Sequence, residues 1–165
     1  MIRIKKMGRR QKIRTIYCIT LGGILLWLTA IFLAPYLKNR GSFSSLFVYT
    51  CFSPLCHQIP SRSFLVFGHS LAVCARCLGV YFGFLAGTVF YPFLRGFQKL
   101  RLPRIEILGA LSLPVFIDAA GNLLGLWKGS NILRFSTGFL WGTIFPFYLI
   151  PGLAEVFIRH ERIRF

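Results

Sequence analysis

Three stretches of this chain carry no charged side chain: Thr15 to Leu37 (23 residues), Cys77 to Leu94 (18 residues) and Phe135 to Ala154 (20 residues). A fourth, Ile105 to Trp127, is broken only by Glu106 at its edge and by Asp118. A helix needs about 20 apolar residues to cross the hydrocarbon layer of a bilayer. The runs show no polar–apolar alternation and are too few for a barrel of short strands. The expected fold is therefore an all-α integral membrane protein with four transmembrane helices, near 15–37, 74–94, 105–127 and 135–157. It forms a single membrane domain over residues 1–165. The sizeable remainder is a segment at 38–73.

Composition excludes the alternatives. Hydrophobic residues make up 55% of the chain, charged residues 15%, and mean hydropathy is +0.64. A soluble domain carries about a quarter charged residues. A disordered polycation would be poor in apolar residues.

The net charge of +16 comes from 20 basic and only 4 acidic residues, and the basic ones flank the spans. Arg3, Lys5, Lys6, Arg9, Arg10, Lys12, Arg14, Arg95, Lys99, Arg101, Arg104, Arg159, Arg162 and Arg164 fall on one side of a four-span chain. Lys38, Arg40, Arg62, Arg76, Lys128 and Arg134 fall on the other. The positive-inside rule then predicts both termini in the cytoplasm and the 38–73 segment outside. It also predicts a multi-pass protein of a cell membrane. Charges placed this way mark topology and do not form a nucleic-acid surface. The basic start followed by an apolar stretch has the look of a signal peptide. The apolar stretch is too long, however, and lacks a clear small-residue cleavage site, so an uncleaved first span is expected.

The outer segment concentrates the chemistry. Cys51, Cys56 and His57 precede Cys74 and Cys77, the latter two as Cys-Ala-Arg-Cys at the start of the second span; Cys18 stands apart in the first. Cys-x-x-Cys on a first helical turn aims both sulfurs at one point, and the helix N-terminus favours thiolate. Between the clusters, two short apolar runs around Gly68 predict a β-hairpin. Knuckle, hairpin and helix in that order are similar to the treble-clef zinc arrangement. Tetrahedral zinc takes four ligands. The expected metal set is Cys51, Cys56, Cys74 and Cys77, with His57 beside it or in place of Cys51. Zinc is the expected ion, ahead of iron. Two other readings stay open. The arrangement also resembles quinone-coupled thiol oxidoreductases of the DsbB and vitamin K epoxide reductase kinds, with quinone as cofactor. Static disulfides stapling the loop are the third. Cys18 reads as a packing residue.

An acid inside a span marks a functional site by default. Asp118 is that acid and the candidate catalytic residue. Asn122 shares its helical face, and Gly121 and Gly125 leave that face open. Arg62, Arg76, Asn131 and Arg134 approach from the same outer side. Together with Asp118 and Asn122 they predict a polar outer-leaflet pocket. Its ligand would be a lipid or another anionic small molecule gripped by guanidinium groups. The plainer alternative is a helix-packing pair of Asp118 with Arg76 or Arg134. Gly79, Gly83 and Gly87, with Gly138 and Gly142, have the spacing that lets membrane helices touch. That pattern permits a homo-oligomer.

The ordered string Cys56-His57-Gln58, Pro60, Arg62-Ser63-Phe64, Gly68, Cys74-Ala75-Arg76-Cys77, Gly79, Tyr81, Gly83 resembles a family of small prokaryotic membrane proteins, Domain of Unknown Function 2085. The resemblance continues through Asp118, Asn131, Arg134, Thr137-Gly138 and Gly142, with Ala119 where that family commonly has glycine. It implies that Cys56, His57, Arg62, Cys74, Arg76 and Cys77 act as one motif, with Cys51 outside it. It implies no reaction. Neither does the sequence, which contains no nucleotide-binding loop, Ser–His–acid triad or haem-attachment motif. Enzyme and carrier both remain open, as does a non-catalytic scaffold.

Overall fold

The computed structural model describes residues 9–95 and 102–163. The basic positions Arg3, Lys5, Lys6, Lys99, Arg101 and Arg164 lie outside them. In chain order the elements are α1 (Arg9–Asn39), α2 (Ser44–Phe52), a 3-10 turn (Pro60–Arg62), β1 (Leu65–Val66), β2 (His69–Ser70), α3 (Ala75–Arg95), α4 (Ile105–Leu123), α5 (Asn131–Ile144) and α6 (Pro146–Ile163).

Four segments are long and apolar enough to cross a membrane: Arg10–Asn39, Ala75–Arg95, Ile105–Leu123 and Asn131–Phe157. All four expected spans are therefore present, with shifted ends. The first helix is 31 residues long. At a rise of about 1.5 Å per residue it reaches ~46 Å, so it overshoots the ~30 Å hydrocarbon layer. The third stops four residues early. Gly125 sits at φ +70 and the Leu126 N–H bonds back to Gly121 O at 2.9 Å, a glycine C-cap that ends the helix. The fourth is split. Pro146 has no N–H to continue the ladder, and Phe145 N–H bonds to Gly142 O at 3.3 Å instead. Its start moves forward to Asn131, where Ser130 Oγ accepts the Leu133 N–H at 3.1 Å.

Glycine decides which helices meet. α3 and α5 pack along almost their whole shared length. A Cβ on Gly79, Gly83 or Gly87 would collide with the carbonyl of Phe135, Phe139 or Thr143. One on Gly138 or Gly142 would strike the carbonyl of Arg76 or Val80. Backbones this close gain dispersion contacts that larger residues would forbid. The scaffold role expected of these glycines is what the packing shows. α4 packs on α5, where Trp141 Nε1 donates to Ser112 Oγ at 2.9 Å.

Two apolar clusters pin the ends of the bundle. Ile13, Ile16, Tyr91, Phe147, Ile150 and Ala154 join α1, α3 and α6 at the end where α1 begins. At the opposite end Ile24, Leu28, Ile31 and Ala34 of α1 pack on Phe52, Cys56, Leu71, Ala72, Val73 and Leu78. Large apolar side chains cover the outside, among them Phe93 (81% exposed) and Leu123 (87%), a surface suited to lipid and costly in water. Spanning hydroxyls bond within their own helices, as Thr29 Oγ1 does to Leu25 O and Thr88 Oγ1 to Phe84 O, both at 2.8 Å.

The expected hairpin exists and is shorter than its apolar flanks. Leu65 pairs with Ser70 and Val66 with His69. The two residues between, Phe67 (φ 53) and Gly68 (φ 77), are both left-handed, as a two-residue turn of the I′ kind requires. His69 is a strand residue. Cys18 is exposed on α1, facing outward instead of packing.

Candidate functional site

The site is built at the end of the bundle where α3 begins, α4 ends and α5 begins. Its first component is a turn. Gln58 takes φ 51, a left-handed conformation rare outside glycine, which bends Cys56-His57-Gln58 into a knuckle. The Gln58 side chain holds that bend by donating Nε2 to Tyr49 O at 2.7 Å. Tyr49 in turn donates its hydroxyl to Ser70 O at 2.5 Å. Helix α2, the knuckle and the hairpin are thereby tied together. Burial raises the Tyr49 phenol above its usual range, so it remains a donor at neutral pH.

The knuckle and the start of α3 bring three sulfurs together. Cys56 Sγ accepts the backbone N–H of Cys74 at 3.1 Å and that of Gln58, and it hydrogen-bonds the thiols of Cys77 and Cys74. These donors, led by Cys77, hold Cys56 well below the ordinary thiol range, at about 5, against the opposing effect of burial. Burial and the neighbouring Cys56 push Cys74 up, although the Ile59 backbone also hydrogen-bonds it. All five cysteines are free thiols.

Of the expected ligands Cys51, Cys56, Cys74 and Cys77, with His57 beside them or in place of Cys51, the structure does not bring Cys51 to the others. Cys51 is exposed on α2. Phe52, the next residue, is the one that turns into the core, and Cys51, about 100° round the helix, points away from it. His57 is exposed, although it borders the same cavity as the three sulfurs. Among the described residues, no group of three or more His, Cys, Asp and Glu side chains is arranged to hold a metal ion.

The second component is a polar chain. Asp118 is 3% exposed and forms an ion pair with Arg76. The pair bridges α4 to the first turn of α3. Asn122, one turn along α4, donates Nδ2 to Asp118 Oδ1 at 3.0 Å. Its Oδ1 accepts the Gly129 N–H at 3.1 Å and an Arg134 guanidinium N–H at 2.8 Å. Arg134 also donates to Asn131 Oδ1 at 3.1 Å, and Asn131 Nδ2 to Ser63 O at 3.3 Å. One chain of bonds thus runs from the cysteine segment through α5 and α4 to α3. The sequence expected these residues to converge, and they do. The face expected to stay open at Gly121 is filled, however, because the Trp127 indole lies against it.

The third component is a cavity of about 570 Å³. Cys56, Cys74 and Cys77 lie in its wall beside His57, Arg62, Arg76, Asn122 and Arg134. Leu55, Ile59, Ala119 and Leu123 supply an apolar side. Leu55, Ile59 and Leu123, and the structural parts played by Tyr49 and Gly129, carry no sequence signal that separates them from ordinary packing. Gln58 stood in the family string, but only its left-handed φ explains it.

Fold and site together define a multi-pass α-helical membrane protein with a thiol-walled, arginine-lined cavity at one end. Residues 56–148 match the family described as "Predicted membrane protein (DUF2085)", and the chain belongs to that family. The "Uncharacterized protein MJ1492" of Methanocaldococcus jannaschii is 39% identical over 149 residues, which cover 87% of this chain and 96% of that protein. An "Uncharacterized protein" of Methanothermobacter thermautotrophicus is 41% identical over 88 residues, covering 53% of this chain and 77% of its own. No solved structure gives a significant match.

Proposed function

We propose that this protein binds an anionic group, phosphate or carboxylate, of a small molecule or lipid in the cavity, at the outer face of a prokaryotic cell membrane. One observation carries the reading: the cavity holds three guanidinium groups against a single carboxylate. Asp118 neutralises Arg76. Arg134 is held by the neutral amides of Asn122 and Asn131. The chain has only three other acids, Glu106, Glu155 and Glu161. Glu106 opens α4 at its far end, and Glu155 and Glu161 lie in α6. Neither Glu106 nor Glu155 belongs to the cavity wall. Arg62 and Arg134 therefore present positive charge to a half-open cavity, which favours an anion through charge-assisted, two-pronged hydrogen bonds.

The apolar side of the wall suits a ligand with a lipid-soluble portion. The sidedness rests on the basic residues, which concentrate at the opposite end of the spans. On that reading both termini are cytoplasmic and the 38–73 segment is outside.

The experiment uses full-length protein in neutral detergent. Thermal unfolding is followed with inorganic phosphate against chloride at equal ionic strength, and phosphatidic acid retention is followed by native mass spectrometry. The expected result is stabilisation by at least one of the two, lost in Arg62→Gln and Arg134→Gln. A shift with phosphate alone identifies a water-borne ligand. Retention of phosphatidic acid without a phosphate shift identifies a lipid headgroup. No response to either probe, or the same response in the arginine variants, overturns the proposal.

A further inference from the structure

The three sulfurs lie in the wall of the same cavity as Arg62 and Arg134, and the anion reading does not use them. Cys56 Sγ receives the Cys74 backbone N–H at 3.1 Å, and Cys74 and Cys77 lie beside it in the same cavity wall. Donors gathered around one sulfur favour thiolate, the form that attacks other sulfurs. Cys77 lies on the first turn of α3, whose N-terminal N–H groups add to the same field. The thiolate and a second thiol in contact with it are the two halves of a dithiol–disulfide couple.

We propose that the cavity is a thiol–disulfide exchange site, with Cys56 as nucleophile and Cys77 as resolving thiol, whose substrate is a small anionic disulfide held by Arg62 and Arg134. The substrate class rests on the anion-binding reading above. In the first step the Cys56 thiolate attacks one sulfur of RSSR. A Cys56–SR bond forms, the substrate S–S bond breaks and RS⁻ leaves. In the second step Cys77 gives its proton to that departing thiolate and attacks Cys56 Sγ. The Cys56–Cys77 disulfide forms and a second RS⁻ is released. The protein dithiol is oxidised by two electrons and the substrate disulfide is reduced by two. The observed dithiol is the reduced partner, and run in reverse the same steps oxidise a small anionic thiol.

The test uses full-length Cys18→Ser/Cys51→Ser protein, which removes two exposed thiols outside the cavity. Two probes are compared, the dianionic disulfide dithiobis(nitrobenzoate) and the neutral disulfide dithiodipyridine. The expected result with the first is release of about two thionitrobenzoate from Cys56 and Cys77, beyond any from Cys74, with a Cys56–Cys77 disulfide found by peptide mass spectrometry. Cys74→Ser/Cys77→Ser should release about one and stop at a mixed disulfide on Cys56. Arg62→Gln/Arg134→Gln should slow the dianionic probe roughly tenfold and leave the neutral probe within about twofold.

The disulfide map needs no cysteine change inside the cavity, so it stands even if Cys74→Ser/Cys77→Ser fails to fold. Thiols that react only after a chelator is added overturn the proposal in favour of a metal site. A mixed disulfide that persists on Cys56 in protein with Cys77 intact also overturns it. If both probes react equally fast and the arginine changes alter neither, the substrate class falls together with the anion reading. If phosphate stabilises the protein but no internal disulfide forms, the anion reading stands and the exchange chemistry alone fails.

Discussion

Asp118 is the residue whose replacement separates architecture from chemistry most cleanly. The residue is 3% exposed, and its carboxylate pairs with Arg76 and accepts Asn122 Nδ2 at 3.0 Å. Asp118→Asn keeps the shape and removes the charge. The Arg76 guanidinium is then left at the protein end of the bundle with no anion, and its Nε has no hydrogen-bond partner to begin with. Breaking a buried ion pair from one side costs about 3–5 kcal/mol. The Arg76 side chain is 30% exposed, so water recovers part of that cost and the lower bound, about 3 kcal/mol, applies. That is about two decades in the unfolding equilibrium at ~1.4 kcal/mol per decade. Reversible unfolding in mixed micelles measures it. The decisive variant is the double change Asp118→Asn/Arg76→Gln, which removes both charges. It should recover at least half the loss, because what destabilises the single variant is the stranded cation. A single-variant loss below about 1 kcal/mol, or a double variant that loses the sum of both, refutes this account of the pair.

Three further outcomes follow from particular contacts. Gly138→Ala places a methyl against the Arg76 carbonyl and should cost at least ~2 kcal/mol by prising α3 from α5. Gly22→Ala in α1 meets nothing within 4 Å and should be neutral or stabilise by up to about 1 kcal/mol, so equal effects in the two would contradict the packing. Alkylation of Cys56 by iodoacetamide should rise through about pH 5 and level off, since its donors depress the thiol to about 5 and the thiolate exists above that value. A rate still climbing through pH ~8.5 would mean an ordinary thiol. Cys51, exposed on α2, should be labelled in intact cells by a membrane-impermeant maleimide, and Cys51→Ser should remove that label. Labelling only after lysis reverses the proposed orientation.

The span pattern was legible because a bilayer imposes a one-dimensional test. Apolar length is read along the chain, and the glycine repeat at intervals of four lines up on one helical face without any knowledge of partners. Span ends were less legible. Trp127 is apolar and fits the third run, yet Gly125 ends α4 before it by adopting a left-handed φ. Pro146 divides the fourth run at a point where hydropathy shows no break. The polar residues of the site were also visible, because an acid or an amide inside a span has few places to go but a partner. Cys51 shows the opposite. It has the same side chain as Cys56 five residues away, and only the helical phase of α2, with Phe52 turned inward, sends it to the surface.

By itself the sequence determined that this is a membrane protein of four spans, which helix faces are small enough to touch, and which few polar residues must be reconciled near the start of the second span. Those conclusions follow from lengths, periods and the cost of burying charge, all of which act locally. Only the tertiary structure decided that three sulfurs, not four or five ligands, meet there. The same holds for Asp118 spending its charge on Arg76 while Arg62 and Arg134 face a cavity with no carboxylate of their own. The reason is that a left-handed turn at Gln58 and the contact of α3 with α5 set those distances, and neither can be read from spacing along the chain.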